Sequence, residues 1–362
     1  MPTILKLEKN KHWKAQDLGG KREGKTVCIQ RYGGFGDMLQ MSSILPGLKD
    51  QGYKITVNTT PRGYSTVKHD PHIDAFFLQE DDQVLNQELG YYWNALSKHF
   101  TKFTMLSESV EGALIALPER REGAWHPALR RMIMGTVDYL EATHAIAEVP
   151  LPPRVAFYPG EKEKKRAAKR RAKMGKDSFV ILWALSGSAV HKVFPHLDAV
   201  VARLMLGYKH VKVVTVGDPL CKVLEAGWED EPRVVCKSGE WSIRETLAFA
   251  FECDLVVGPE TGVLNAVSMD KSISKILMLS HSGPLNIGKN WKNTVLLEPV
   301  DTPCYPCHIL HRGFDMCHQD KVTGAALCAA NIDVDDLCKH LFLNIEGISK
   351  DEYESRTMQK VS

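Results

Sequence analysis

Nowhere in these 362 residues does an apolar run approach the ~20 residues that cross a bilayer. The opening M-P-T-I-L-K-L-E-K-N-K-H-W-K lacks the apolar core of a secretory signal, so a cytoplasmic location is expected. Charge of one sign is missing too: 46 Lys and Arg against 44 Asp and Glu leave a formal +2, which demands no polyanionic partner. Neither a Walker A loop nor a G-x-G-x-x-G fingerprint occurs, so the usual ATPase and dinucleotide readings have no motif behind them. What remains, 44% hydrophobic and 25% charged residues, is the composition of a globular chain long enough for two domains and a substantial core. Nine cysteines in such a protein read as reduced thiols. Cys28, Cys221, Cys236 and Cys253 are scattered, whereas Cys304, Cys307, Cys317, Cys328 and Cys338 crowd one stretch.

The richest stretch is Gln30 to Lys49, Q-R-Y-G-G-F-G-D-M-L-Q-M-S-S-I-L-P-G-L-K. Val27-Cys28-Ile29 feeds Gly33, Gly34 and Gly36; then apolar residues recur at Met38, Leu39, Met41, Ile44, Leu45 and Leu48. The period changes from strand to helix across the turn, and in a parallel α/β sheet such a turn lies where ligands bind. Asp37, at the helix start, reads either as a cap for free N–H groups or as a functional carboxylate. A second strand over Lys54 to Thr60 and a third apolar run ending at Leu78 extend the β-α-β-α-β order of a parallel, helix-covered sheet. Farther on, Phe103 to Leu106 suggests a short strand and His126 to Ile146 a helix. Trp93, Trp125 and the pair Tyr91-Tyr92 read as packing, with acceptor contact as the alternative.

Composition shifts between Pro150 and Gly175, where E-K-E-K-K-R-A-A-K-R-R-A-K reads as a solvated helix at a domain boundary or as a basic patch for phosphate. The alternation then restarts. Strands are expected at Phe179 to Ala184, Val211 to Gly217, Arg233 to Cys236, Asp254 to Gly258 and Lys275 to Ser280, with Ser242 and Glu245 spaced as a capping box. The expected organisation is α/β, two Rossmann-like domains facing a cleft: residues 1–155, residues 156–345, and a tail over 346–362.

Three segments at strand ends carry the chemistry. The first is G-G-F-G-D with Asp37. The second, Leu185 to Pro195, brings Ser186, Ser188 and Lys192, which would supply charge and hydrogen bonds to a diphosphate. The third, G-P-E-T-G-V-L-N, places Thr261 and Gly262 at a helix start, where backbone N–H groups favour an anion.

These segments, in this order, resemble glycosyltransferase family nine, the ADP-heptose–lipopolysaccharide heptosyltransferases and their relatives. The likeness runs from R-Y-G-G-F-G-D-M-L-Q-M-S-S-I-L-P-G-L-K through S-G-S-A-V-H-K-V-F-P and D-L-V-V-G-P-E-T-G-V-L-N-A to C-Y-P-C and L-C-A-A-N-I-D-V-D-D-L. It covers roughly Lys25 to Leu341 and is weakest between Glu80 and Pro153. The resemblance implies a GT-B architecture, with the acceptor on the N-terminal domain at Gly33, Gly34 and Gly36 and the nucleotide sugar on the C-terminal domain. It implies inverting, metal-independent transfer of a sugar, a heptose in the family's type case, to a glycan or lipid-linked acceptor of lipopolysaccharide biosynthesis. Asp37 would then be the general base and Lys192 the counter-charge for the departing diphosphate, with Ser186, Ser188, Glu260, Thr261, Gly262 and Asn265 holding the donor. No cofactor is required. The resemblance also suggests that the C-terminal helix, Val334 to Asn344, returns toward the N-terminal domain.

Two positions depart from the family. Its Asp-Thr-Gly followed by His is here Glu260-Thr261-Gly262 followed by Asn265, so the donor sugar and its nucleotide are left open. Two other functions stay open beside the leading one: transfer to a nucleic-acid acceptor held by the basic stretch, and a catalytically inactive sugar-nucleotide-binding protein. Cys304, Cys307, Cys317 and Cys328 read either as free thiols packing a loop or as ligands of a structural zinc.

Overall fold

The computed structural model describes residues 2–6, 13–14, 18, 20–80, 83–107, 116–117 and 120–348. From residue 349 onward the expected tail lies outside the described residues. Five strands build the first sheet: β1 (Thr3–Lys6), β2 (Thr26–Gln30), β3 (Lys54–Thr59), β4 (Ala75–Leu78) and β5 (Lys102–Met105). All its pairings are parallel, in the order β1-β4-β3-β2-β5. The second sheet holds β6 (Phe179–Ala184), β7 (Val211–Val216), β8 (Val234–Cys236), β9 (Leu255–Pro259), β10 (Ser274–Met278) and β11 (Thr294–Leu297). It too is wholly parallel, ordered β11-β10-β9-β6-β7-β8. That is the doubly wound order of a Rossmann fold, in which the chain reverses direction between its first and fourth strands, here β6 and β9.

Continuous burial explains why β2, β6 and β9 read as unbroken apolar runs: helices cover both faces of each sheet, so neither side of a strand meets water. Val27, Ile29, Met38, Met41 and Leu48 pack on one face of the first sheet, and Cys28, Phe77, Tyr92 and Leu96 on the other. The periodic stretch after the glycine turn forms two short helices, Phe35–Ser42 and Leu45–Asp50, and all six of its expected apolar positions are buried. The N-terminal strand β1 and the edge strand β11 were not anticipated. Both are four-residue edge strands, too short for a periodicity to register.

Two expectations are corrected. The single helix over His126 to Ile146 is two, Pro127–Met134 and Tyr139–Ala147; Gly135 ends the first, and the Asp138 carboxylate caps the second at Leu140 and Glu141. The C-terminal helix, Val334–Glu346, does not return to the N-terminal sheet. Leu337, Cys338 and Leu341 bury against helix Leu197–Gly207, and the Tyr208 ring lies 5.4 Å from that of Phe342, tilted by 47°. Helix Glu161–Lys173 is as basic as its sequence, but four of its cations are paired: Lys164 with Glu161, Arg166 and Arg170 with Glu245, and Arg171 with Asp254.

Several side chains tie the two halves together, among them Asn286, which donates to the carbonyls of Met134 and Val137, and Arg244, which makes the most bonds. Arg244, on helix Ile243–Ala250, donates to the carbonyls of Ser65 and Thr66 beside the first sheet and of Tyr158 in the connection. Its remaining N–H groups grip Glu163 through both carboxylate oxygens at 2.7 Å, so all five donors of the guanidinium are used. Only 4% of the residue is exposed. Arg244→Ala removes one partner of a buried pair and leaves Glu163 uncompensated, which should cost on the order of 3–5 kcal/mol in urea unfolding. A cost below about 1 kcal/mol would show that the Arg244–Glu163 pair contributes little beside the other contacts between the halves.

Candidate functional site

In an open parallel sheet the crevice for a ligand opens where neighbouring connections leave toward opposite faces. The first sheet has this point between β2 and β5, and the second between β6 and β9. The segments singled out from sequence emerge there. The glycine turn follows β2, the Ser186–Lys192 segment follows β6, and Glu260-Thr261-Gly262 follows β9.

Asp37 is fixed by its own turn. One carboxylate oxygen accepts from the Gly34 N–H at 2.6 Å, and the other from Arg31 Nη2 at 2.8 Å. Gly33 sits at φ 116°, and a Cβ there would lie 2.5 Å from the Asp37 carboxylate, so glycine is required on both counts. The cap expected from sequence is thus real, but it does not exhaust the group, because the Asp37 side chain is 35% exposed while Arg31 beneath it is 4% exposed. Arg31 also donates to the Leu106 carbonyl after β5, so the switch point itself holds the guanidinium. Behind the turn, the Tyr32 hydroxyl accepts from Trp93 Nε1 at 3.1 Å and reaches Gln79 at 2.6 Å. Trp93 therefore has a polar partner beside the turn as well as a packing role.

The turns of the two sheets touch. A Cβ on Gly262 would stand 2.8 Å from Phe35 Cβ and 3.1 Å from the Gly36 nitrogen, and one on Gly36 would stand 3.2 Å from Asn265 Nδ2. Gln40, one helical turn beyond Gly36, reaches Asn265 Oδ1 at 3.4 Å, and Asn265 donates back to the Thr261 carbonyl at 2.9 Å. Lys192 spans the second switch point, its ammonium donating to the Glu260 carbonyl at 2.8 Å, and Gly187 brings its chain against Thr261. Thr261 Oγ1 is buried and has no hydrogen-bond partner among the described residues. The remaining expected residues are placed less centrally. Ser186 pairs with Cys221 Sγ at 2.9 Å, and Ser188 is exposed.

Glu260 points away from this contact, into a buried polar layer. Its carboxylate lies 3.1 Å from His281 Nδ1, an ion-pair distance without hydrogen-bond alignment, and its Oε1 has no partner among the described residues. Burial pushes the Glu260 carboxyl up to about 7, against the opposing pull of Lys192 and of the Ser280 and Ser282 donors. Burial also holds His281 and His191 well below the ordinary histidine range, with their cationic and imidazole neighbours adding to the effect, so both rings are neutral near pH 7. His191 Nδ1 meets Ser280 Oγ at 2.9 Å, and its ring lies 4.6 Å from that of His281. These imidazoles open onto a cavity of about 410 Å³ that Arg130, Arg131 and the cysteine-rich loop also wall. Among the described residues, no three His, Cys, Asp or Glu side chains are gathered to hold a metal ion.

Arg31, Gln40 and His281 went unrecognised in the sequence. Arg31 and His281 each stand just past a strand of a parallel sheet, which was the available signal. Gln40 carried none, since its role comes from a contact 225 residues away.

Two parallel sheets whose switch points face each other define a GT-B fold. No family model matches the sequence, and no curated protein matches it. Solved structures do match in three dimensions. A glycosyl transferase of family 9 from Veillonella parvula aligns with a TM-score of 0.59 at 12% identity, over 90% of this chain and 100% of that one. The ADP-heptose LPS heptosyltransferase II of E. coli gives 0.60 at 13% identity, over 90% and 99%. TibC of enterotoxigenic E. coli, described as an iron-containing dodecameric glycosyltransferase, gives 0.53 at 12%, over 90% and 78%. The resemblance in the motifs is therefore matched by the fold. No helix among the described residues is long and apolar enough to cross a membrane.

Two outcomes test this geometry. Gly262→Ala should cost roughly 1–3 kcal/mol in denaturant, as overpacking does, because backbone stands where the methyl would go; an unchanged midpoint would mean that the two turns are not in contact. Glu260 tests the buried layer. A carboxyl whose folded value is raised binds its proton more tightly in the native state, so its contribution is present below about pH 4.5 and lost as pH rises through about 7. The stability difference between wild type and Glu260→Gln should therefore shift against wild type by on the order of 3 kcal/mol across that window. A difference independent of pH would mean that Glu260 is ionised throughout.

Proposed function

We propose that the protein is a glycosyltransferase that moves a sugar from a nucleotide-sugar donor to an acceptor hydroxyl, with inversion and without a catalytic metal. The observation that supports this best is the contact of the Asp37 turn with the Thr261–Asn265 turn through Gly36 and Gly262. On this reading a carboxylate after one switch point and an ammonium after the other would flank a single crevice. The donor's diphosphate would lie on Lys192 and the Thr261 hydroxyl, and the acceptor hydroxyl would approach Asp37.

Transfer follows from those positions. As the acceptor oxygen forms its bond to the anomeric carbon, its proton passes to an Asp37 oxygen. Each carboxylate oxygen has a second lone pair beyond those given to Gly34 and Arg31. The bond from that carbon to the diphosphate breaks with its electron pair on the phosphate oxygen, where Lys192 offsets the growing charge. Attack from the face opposite the leaving group inverts the anomeric centre. Heptose donors and a lipid-linked or glycan acceptor are the first to try, since the heptosyltransferase of E. coli aligned above is named for ADP-heptose and LPS. Glu260 faces buried histidines, so sugar selection would fall instead to Asn265 and Gln40 at the contact.

A second reading has one observation in its favour. Both Asp37 oxygens and the Lys192 ammonium already have partners within the fold, as they would in a binding protein that performs no transfer. Incubation with a panel of nucleotide sugars, reading thermal shift and donor turnover with and without acceptors, separates the two. Stabilisation without turnover supports the binder, and neither effect overturns both readings.

Two substitutions assign the roles. Asp37→Asn should lower turnover by roughly 10²–10⁴-fold while nucleoside diphosphate still binds. A small fall in melting temperature should accompany it, because Arg31 loses its counter-charge. Wild-type turnover in this variant would leave Asp37 as a cap alone. Lys192→Ala should weaken nucleoside diphosphate binding by ~1.5–3 kcal/mol in calorimetric titration, the range of a charge-assisted hydrogen bond.

A further inference from the structure

A second cavity, of about 470 Å³, lies beside the connection between the two halves. Its size is within the ~300–1,000 Å³ of small-molecule sites. All three parts of the chain wall it: His72 from the first half, Arg154 and Tyr158 from the connection, and Lys271, Asn290 and Lys292 from the second half. None of the residues placed at the candidate site lines it. His72, Lys271 and Lys292 stand just before β4, β10 and β11, so this cavity is at the amino ends of those strands. The candidate site is built at carboxyl ends.

The charge in its wall is of one sign. Arg154, Lys271 and Lys292 are exposed, their side chains have no ion pair or hydrogen bond among the described residues, and no Asp or Glu lines the cavity. Carboxylates that bond to lining residues are already engaged. Asp70 is buried and meets both the backbone N–H and, at 2.8 Å, the ring of His72. Glu141 accepts from Asn290 at 3.4 Å and pairs with Lys289 at 2.8 Å. Backbone contacts place the cations. The Lys292 N–H donates to the Ser268 carbonyl at 2.9 Å and the Asn293 amide to the Lys271 carbonyl at 3.2 Å, which holds the two lysine-bearing turns together. Arg154 stands between buried Pro153 and Val155, and Ala156 is fixed by Ser42 Oγ through both its N–H and its carbonyl. Like charges gathered around one cavity repel each other, and an anion with several charges offsets that repulsion.

We infer that this cavity binds a soluble, phosphorylated small molecule with at least two negative charges, held by Arg154, Lys271 and Lys292. A guanidinium offers paired N–H donors and the ammoniums offer point charges, a combination that suits phosphate oxygens. The Tyr158 and His72 rings, 6.0 Å apart at 63°, give an aromatic wall for the organic part of the ligand. Because both halves and the connection contribute groups, the bound molecule fixes their mutual placement from outside the candidate site. That is the position of an effector, which is bound and released unchanged. The inference stands apart from sugar transfer and holds whether or not the crevice carries out that reaction.

Inorganic pyrophosphate is the probe, titrated into the full-length protein at an ionic strength held constant with potassium chloride. Melting temperature should rise with pyrophosphate in wild type, by mass action on the native state. It should still rise in Lys192→Ala, which lacks the ammonium of the candidate site. Adding Lys271→Ala and Lys292→Ala to that variant should weaken pyrophosphate binding roughly tenfold per charge removed, read by calorimetric titration. Arg154→Ala, made separately, should weaken it as well. Without ligand, the Lys271→Ala/Lys292→Ala protein should melt with wild type, since neither side chain has a partner to lose. Four results would each overturn the inference: no pyrophosphate shift in wild type, the same shift from added potassium chloride alone, loss of all binding in Lys192→Ala, or unchanged binding when both lysines and then Arg154 are replaced. Sedimentation with phosphatidate vesicles in preference to pyrophosphate binding would assign the cations to a membrane surface and overturn the soluble ligand.

Discussion

The close approach of two glycine turns, one after each sheet's switch point, is the contact on which the candidate site depends. Gly262 lets two helix starts approach closely, because a methyl there would strike Phe35 and the Gly36 nitrogen, while one on Gly36 would press on the Asn265 amide. Everything near it is arranged by that approach. Asn265 and Gln40 meet because their helices are in register at their first turns, and Thr261 is carried beside the Lys192 segment. The glycines of the first turn thus serve two purposes. Gly33 takes a left-handed conformation that lets Asp37 fold back on its own loop, while Gly36 supplies the bare surface that the second domain lies against.

Charge is distributed to match. Just past the strand ends stand an ion-paired carboxylate and an ammonium bound to a carbonyl, both partly open to water. Behind the second turn, Glu260, His281 and His191 are buried as a layer whose members are pushed toward their uncharged forms. Burial shifts all three toward their uncharged forms, so this layer carries less charge than its residue types alone would give. Substituting glutamate for the aspartate of the resembling family makes sense in that setting, since the longer side chain reaches His281 rather than the crevice.

How much of this the sequence disclosed depended on whether a signal was local. The strands β2, β6, β7 and β9 were legible because double burial writes an apolar run, and the Ser242–Glu245 capping box because its partners are three residues apart. The glycine turn and the Glu260–Asn265 turn were legible as strand ends. Arg31 and Gln40 were not, because their importance comes from partners that only the folded chain brings near. The same holds for the split at Gly135–Asp138, where one apolar periodicity continued across two helices. For the C-terminal helix the resemblance misled. Its apolar stripe is real, but the face it covers belongs to helix Leu197–Gly207.

The Arg244 knot constrains how the two halves can move. Pulling helix Ile243–Ala250 away from Ser65 and Thr66 would strip a buried guanidinium of carbonyls that nothing else replaces, so a simple hinged opening there is costly. The turns at Gly36 and Gly262 are pinned as well, because Leu39 packs with Val263 and Leu264 in one apolar cluster and Gln40 meets Asn265. The two halves are held like a board nailed at two points, which cannot turn about either one.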